Sequence, residues 1–178
     1  MSTLVHLGLG AFHRAHQVWY THVADPDWNY VSFTGRSARM SDLLTAQGNK
    51  YTLVTRSKDG DSFELIDTIT ETQPAANVER LTELMASPDV KLVTLTITEA
   101  GYDDTSENSA PRRLVKGLAT RQRASAGPIA IMSCDNVSGN GAKCKAAVYA
   151  VADADLRAWM DDNVTFPTTS IDRITPAT

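Results

Sequence analysis

The sequence predicts an α/β fold: a doubly wound, mostly parallel sheet with helices on both faces and an antiparallel hairpin insertion. Three observations carry this expectation. Short runs rich in apolar and β-branched residues alternate with stretches of helical periodicity along the chain. Most of those runs are apolar throughout, as strands covered on both faces must be. One pair of runs is separated by Lys58-Asp59-Gly60-Asp61, a hairpin turn signal.

The elements follow in order. Residues 3–8 form a short apolar strand that ends in Gly8-Leu9-Gly10. Residues 12–23 read as one helix, with Ala15, Trp19 and Val23 four apart on one face, stopped by Asp25-Pro26-Asp27. A second strand spans 30–34. Ser37 is placed to cap a helix through Met40, Leu43 and Leu44 to a stop at Gly48. Strands at 51–56 and 63–72 flank the hairpin turn. Val78, Leu81, Leu84 and Met85 make a helical stripe that ends at Ser87-Pro88. A β-branched strand covers 91–98 and a polar loop 103–111. The helix at 114–126 is read as basic on its outer face. A buried strand at 129–133 follows. Residues 140–163 form one long helix or two joined ones, with Val148, Val151, Leu156 and Trp159 inside. A last strand is expected at 168–174.

Bulk properties exclude several classes. A chain of 178 residues suits one domain spanning 1–178, and 42% apolar residues can fill its core. The net charge is −4 and Lys and Arg are not clustered, so nucleic acid is not an expected partner. No apolar run approaches the length of a membrane span, and no signal peptide is recognised. Cys134 and Cys144 lie in different predicted elements. They read as buried thiols in a reducing, cytoplasmic setting rather than a zinc site, which needs about four ligands at closer spacing.

The chemistry starts at the first turn. A strand that runs into Gly-x-Gly and then a helix is a phosphate-binding arrangement. The first glycine makes the tight turn, the second lets a pyrophosphate approach, and the helix N-terminus offers free N–H groups. Gly8 and Gly10 fit these roles, but His13 stands where a third glycine is usual. His13 and His16 read as packing residues, since no carboxylate or cysteine pair nearby completes a metal site. Arg14, unfavourable against the helix dipole, points to an anionic partner, either a ligand phosphate or a carboxylate. The second strand ends Phe33-Thr34-Gly35-Arg36-Ser37 without the acid that would hold ribose hydroxyls. That leaves NADP open beside NAD and gives Arg36 either a cofactor or a surface role. Three further strand ends are polar. Glu99 can act as an acid/base or proton gate. Asn136 can donate to a substrate oxygen. Asp172 can bind hydroxyl groups or pair with Arg173. Asp135 or Asn140 can cap the long helix.

The ordered motifs LVHLGLGAFHRAH, TGRSARM, YTLVTR, TLTITEAGY, SCDN and DRITPAT resemble the polyol-specific long-chain dehydrogenases, the family of mannitol 2-dehydrogenase and fructuronate reductase. The resemblance runs from the first strand to the last residue. It implies a Rossmann domain and zinc-independent hydride transfer between a nicotinamide dinucleotide and an open-chain polyol, ketose or uronate. Family habit favours NAD. Gly8, Gly10, Ala11, Phe12, Arg36 and Thr98 are then the cofactor residues. Asn136 becomes a substrate-oxygen contact, Glu99 a residue on the proton path, and Asp172 a neighbour of the substrate. D-mannitol and D-fructose are the leading substrates. A fructuronate or tagaturonate reductase, or a non-catalytic nucleotide-binding module, are the alternatives. Two departures stand out. The loop between Tyr102 and Gly117 is shorter than is usual in the family. Family members also carry their general-base lysine in a helical C-terminal domain that these residues do not match, so little turnover is expected from this chain alone.

Overall fold

The computed structural model describes residues 2–171, 174 and 175. The chain opens with β1 (Ser2–Leu7), α1 (Ala11–Ala15), α2 (Gln17–Ala24), β2 (Trp28–Phe33) and α3 (Arg39–Ala46). The hairpin β3 (Tyr51–Ser57) and β4 (Gly60–Ile66) follows, then β5 (Ile69–Gln73), α4 (Val78–Met85) and β6 (Leu92–Leu95). The second half holds α5 (Glu99–Tyr102), α6 (Ala110–Arg123), β7 (Ile129–Ser133), α7 (Asn140–Val151), α8 (Ala154–Asn163) and β8 (Val164–Thr165).

Six strands form one parallel sheet in the order β5-β2-β1-β6-β7-β8. With the antiparallel β3–β4 hairpin set aside, that order is third, second, first, fourth, fifth, sixth. It is the arrangement of a doubly wound sheet whose direction of growth reverses beside its first strand. Leu4 to Leu7 are all buried at the centre, which is why β1 reads as an unbroken run rather than an alternation. One core cluster gathers Val5, Leu7, Val93, Leu95 and Ile131 with residues of α4, α6, α7 and α8. A second holds Leu4, Val18, Tyr30, Leu44, Ile66 and Ile69, with Tyr51 and Leu53 of the hairpin packed against it.

Four expectations need correction. The strand foreseen at 63–72 is two. Its first half pairs antiparallel with β3, and Ile69–Gln73 leaves to lie parallel to β2. No glycine or proline marks the break at Asp67-Thr68, so the run looked continuous. The helix foreseen at 12–23 is interrupted at His16, where φ and ψ are −115° and −87°. Val23, expected inside, is 59% exposed, and the inward face is carried by His13, Gln17 and Val18. The helix expected at 114–126 and read as basic on its outer face spans Ala110–Arg123, and two of its arginines, Arg113 and Arg121, are fully inside. The sixth strand of the sheet is Val164–Thr165, before the stretch expected at 168–174, and residues 168–171 are not strand. Residues 172 and 173 of that stretch lie outside the described residues.

Candidate functional site

The turn after β1 is built around Gly8. Its φ is +113°, a value L side chains rarely adopt, and a Cβ there would lie 2.0 Å from the carbonyl oxygen of Thr96. Thr96 is fixed in turn. Its Oγ1 donates to the Gly8 carbonyl at 2.8 Å, His6 Nε2 lies 2.9 Å from the same hydroxyl, and its N–H donates to Leu7 O. The N–H groups of Gly8 and Leu9 both donate to Phe33 O at the end of β2. Gly10 is extended rather than left-handed, and a Cβ there would meet nothing nearer than Gly8 O at 3.6 Å.

His13 occupies the place of the third glycine by stacking instead of by being small. Its ring lies parallel to that of His6, with centroids 3.3 Å apart. Its Nε2 meets Ser32 Oγ at 3.0 Å and its Nδ1 meets Gln17 Oε1 at 3.2 Å. Both rings are fully buried. Burial drives the His6 pKa down to about 3 and that of His13 well below the ordinary value, with His6 as a further lowering influence on His13. These are neutral packing groups at physiological pH. Among the described residues no group of three or more His, Cys, Asp or Glu side chains is gathered to hold a metal. Arg14 lies 5.8 Å above the Tyr51 ring, and its buried Nη1 has no hydrogen-bond partner among the described residues. Among the described residues its guanidinium faces the aromatic ring of Tyr51, and no ion pair to a carboxylate is seen.

A cavity of about 710 Å³ opens at the carboxyl ends of β1, β2, β5 and β6. Gly8, Arg36 and Thr98 line it, as do Leu9, Thr96 and Ile97. The sequence reading had selected the first three. Gly10, Ala11 and Phe12, also expected at the cofactor, are not among its lining residues; they follow on the turn and in α1. Phe12 stacks on His16 with centroids 5.0 Å apart. Arg36 is on the rim, with its side chain 86% exposed and Nη2 4.0 Å from Asp104 Oδ2.

The neighbouring strand ends are organised by Asp135, not by a helix cap. Its Oδ1 accepts the Thr98 N–H at 2.8 Å. Its Oδ2 accepts the Ile97 N–H at 3.1 Å and the Tyr102 hydroxyl at 2.6 Å. This carboxylate holds Thr98 at φ +65°, an uncommon conformation for a β-branched residue. Asn140 is buried and ties Asp135 O to Thr169. Asn136, next to Asp135, is exposed at the end of β7. Glu99 is exposed at the start of α5 and pairs with Lys143 at 2.8 Å. That hydrogen bond and the lysine charge hold Glu99 below the usual carboxylate range. Asp172 lies outside the described residues.

The sequence reading missed part of the cavity wall. Ala75 and Ala76 follow β5, which was merged with the hairpin. Ser109 and Arg113 open α6, and Asp104 sits in the polar loop before it. The Ser109-Ala110-Pro111 start was a legible helix signal, with serine before proline in the first turn. Arg113 was hidden because it fell between the expected polar loop and the helix expected from 114, and an arginine there reads as solvent-facing by default.

The sheet order, the reversal point beside β1 and the cleft there define a doubly wound α/β domain of the nucleotide-binding class. The chain belongs to the family described as the mannitol dehydrogenase Rossmann domain, whose model matches residues 2–178. It is 34% identical to D-mannonate oxidoreductase of Escherichia coli (strain K12), over 99% of this chain and 43% of that protein. It is 35% identical to D-arabinitol 4-dehydrogenase of Ralstonia nicotianae, over 97% of this chain and 44% of that protein. Pseudomonas fluorescens mannitol 2-dehydrogenase, solved as a ternary complex with NAD and D-mannitol, superposes with a TM-score of 0.86. The identity is 31%, over 99% of this chain and 43% of that one. The chain thus spans less than half the length of these relatives. The first alignment runs over 209 positions against 178 residues here, so that relative carries residues without a counterpart in this chain.

Proposed function

We propose that these residues form the cofactor-binding domain of a nicotinamide-dependent oxidoreductase acting on an open-chain polyol, ketose or sugar acid, with D-mannitol and D-fructose as the leading pair. The observation that carries this reading is the cleft over the Gly8 turn. Gly8 keeps that cleft open where any side chain would collide with Thr96, and two buried polar atoms on its wall, Ser109 Oγ and Arg113 Nε, have no hydrogen-bond partner among the described residues. Such a wall suits a ligand that brings its own polar groups. Gly8, Gly10, Ala11 and Phe12 would pass along the dinucleotide pyrophosphate, with Arg36 and Thr98 flanking the adenosine. NAD is the cofactor present in the solved relative.

The bound nicotinamide supplies or takes the hydride. The chain's own residues position the reaction. Asn136, exposed after β7, would donate its amide N–H to the substrate oxygen, and Asp172 would contact a substrate hydroxyl. Glu99, like any exposed carboxylate, is ionised at neutral pH, and Lys143 holds its pKa lower still, so it would receive a proton rather than supply one. Turnover is proposed for a protein of the relatives' full length, and cofactor binding for the residues present here. Among the described residues no helix is long and apolar enough to cross a membrane. Cys134 and Cys144 are both free and buried, which suits a reducing, cytoplasmic compartment. The test is titration with NADH followed by nicotinamide fluorescence, and D-fructose reduction for the longer protein. Absence of NADH and NADPH binding would remove the reading.

A further inference from the structure

Helix α6 carries two fully buried arginines with opposite fates. Arg121 spends its guanidinium on five backbone carbonyls, those of Met85, Ser87, Ala126, Gly127 and Pro128, at 2.7 to 3.1 Å. It is a structural clamp. Arg113, two turns nearer the helix start and only 1% exposed, has nothing comparable. Among the described residues its Nε has no partner, and its one hydrogen bond runs from Nη1 to Thr34 O at 3.5 Å. No carboxylate of the described residues pairs with it. Burial lowers its pKa to about 10, which leaves it charged at neutral pH.

A buried, charged and under-bonded guanidinium costs stability unless something anionic completes it. The surroundings show where that anion would lie. Arg113 lines the cleft. Its contact with Thr34 puts it at the end of β2, where the ribose 2' position sits in this fold. Ser109 stands at the N-cap of α6, where a serine hydroxyl ordinarily accepts an N–H of the first turn. Here it makes no such bond, and its Oγ is buried and unpartnered on the same wall. Gly35 leaves open space beside them, and the strand end offers no acid to hold ribose hydroxyls.

We propose that Arg113 and Ser109 form a recessed phosphate seat at the adenosine end of the cleft, which takes the 2'-phosphate of NADP(H) and makes this domain accept the phosphorylated cofactor. The proposal rests on the cofactor-binding reading above. Arg36 would close the seat from the rim. Asp104, which lines the same cleft and reaches Arg36, is the one carboxylate among the described lining residues and is placed to oppose it. The phosphate could instead be the pyrophosphate common to both cofactors, and the experiment separates the two.

Dissociation constants for NADH and NADPH are measured on the wild-type protein and on Arg113→Met, Arg113→Lys, Ser109→Ala and Asp104→Asn, with 2',5'-ADP and 5'-AMP as competitors. A charged hydrogen bond of this kind is worth roughly tenfold to a hundredfold in affinity. Arg113→Met is expected to weaken NADPH and 2',5'-ADP by about that factor and to leave NADH and 5'-AMP within about twofold. Arg113→Lys should retain part of the NADPH affinity. Ser109→Ala should weaken NADPH only, and Asp104→Asn should strengthen it. Equal losses for both cofactors would assign Arg113 to the pyrophosphate and overturn the proposal, as would no loss at all. Loss of NADH affinity in Asp104→Asn would make Asp104 the ribose-hydroxyl acceptor and overturn it too. Circular dichroism on each variant shows whether it folds, and should Arg113→Met fail to fold, Arg113→Lys and Ser109→Ala carry the test. If the wild type binds neither cofactor, the underlying reading fails, which is a different result from normal NADH binding with an indifferent Arg113.

Discussion

Replacing Gly8 by alanine tests whether the first turn is as constrained as its geometry says. Two costs add. At φ +113° an alanine occupies a region nearly reserved for glycine, at about 1–3 kcal/mol. The new Cβ would also sit 2.0 Å from Thr96 O and 2.7 Å from Thr96 C, both backbone atoms. Thr96 cannot withdraw freely, because Leu7 O, Gly8 O and His6 hold it. Overpacking of this kind costs a further 1–3 kcal/mol or so. Gly8→Ala should therefore lose about 2–6 kcal/mol of unfolding free energy, read by urea denaturation with far-ultraviolet circular dichroism. Gly10→Ala is the contrast. Its backbone is extended and its Cβ meets nothing closer than 3.6 Å, so stability should change by less than about 1 kcal/mol while cofactor affinity falls. A Gly8→Ala protein as stable as the wild type would refute the argument.

Acid should loosen the fold through the stacked histidines. His6 and His13 are held neutral, with folded pKa values below the unfolded 6.5, so the unfolded chain binds more protons as pH falls. Their contribution is complete above about pH 6.5 and is lost progressively toward the folded His6 value of about 3. At pH 5 that is about 2 kcal/mol for His6, and His13 adds a loss of the same sign. Equal urea midpoints at pH 7 and pH 5 would contradict it. Asp135→Asn keeps the shape but turns one acceptor toward the Ile97 and Thr98 N–H groups or the Tyr102 hydroxyl into a donor. A loss of about 2 kcal/mol and weaker NADH binding are expected. Unchanged stability and affinity together would show that Asp135 does not hold the turn.

Much of this was legible from residues alone, for physical reasons that can be named. Strands covered on both faces leave unbroken apolar runs, so β1, β2, β6 and β7 stood out, and a Gly-x-Gly at a strand end has few structural uses. The hidden parts are those where a tertiary contact overrides a local pattern. Nothing in Asp67-Thr68 announces that the chain leaves the hairpin for the main sheet. His13 looks like a defect in a glycine motif until His6 is seen beneath it, because the spacing between them carries no periodic signal. Asp135 looks like a helix cap, and only the fold reveals that it faces Ile97, Thr98 and Tyr102. Arg113 and Arg121 share one helix and one residue type, and sequence cannot say that one is saturated and the other is not.

The most direct measurement is a titration of the protein with NADH, followed by nicotinamide fluorescence, in the wild type and in Gly10→Ala. Saturable binding at a single site in the wild type, strongly weakened in the stable Gly10→Ala protein, is the predicted result. Equal binding by both proteins, or no binding of NADH or NADPH by a folded wild type, would contradict the assignment of the Gly8–Gly10 cleft as a dinucleotide site.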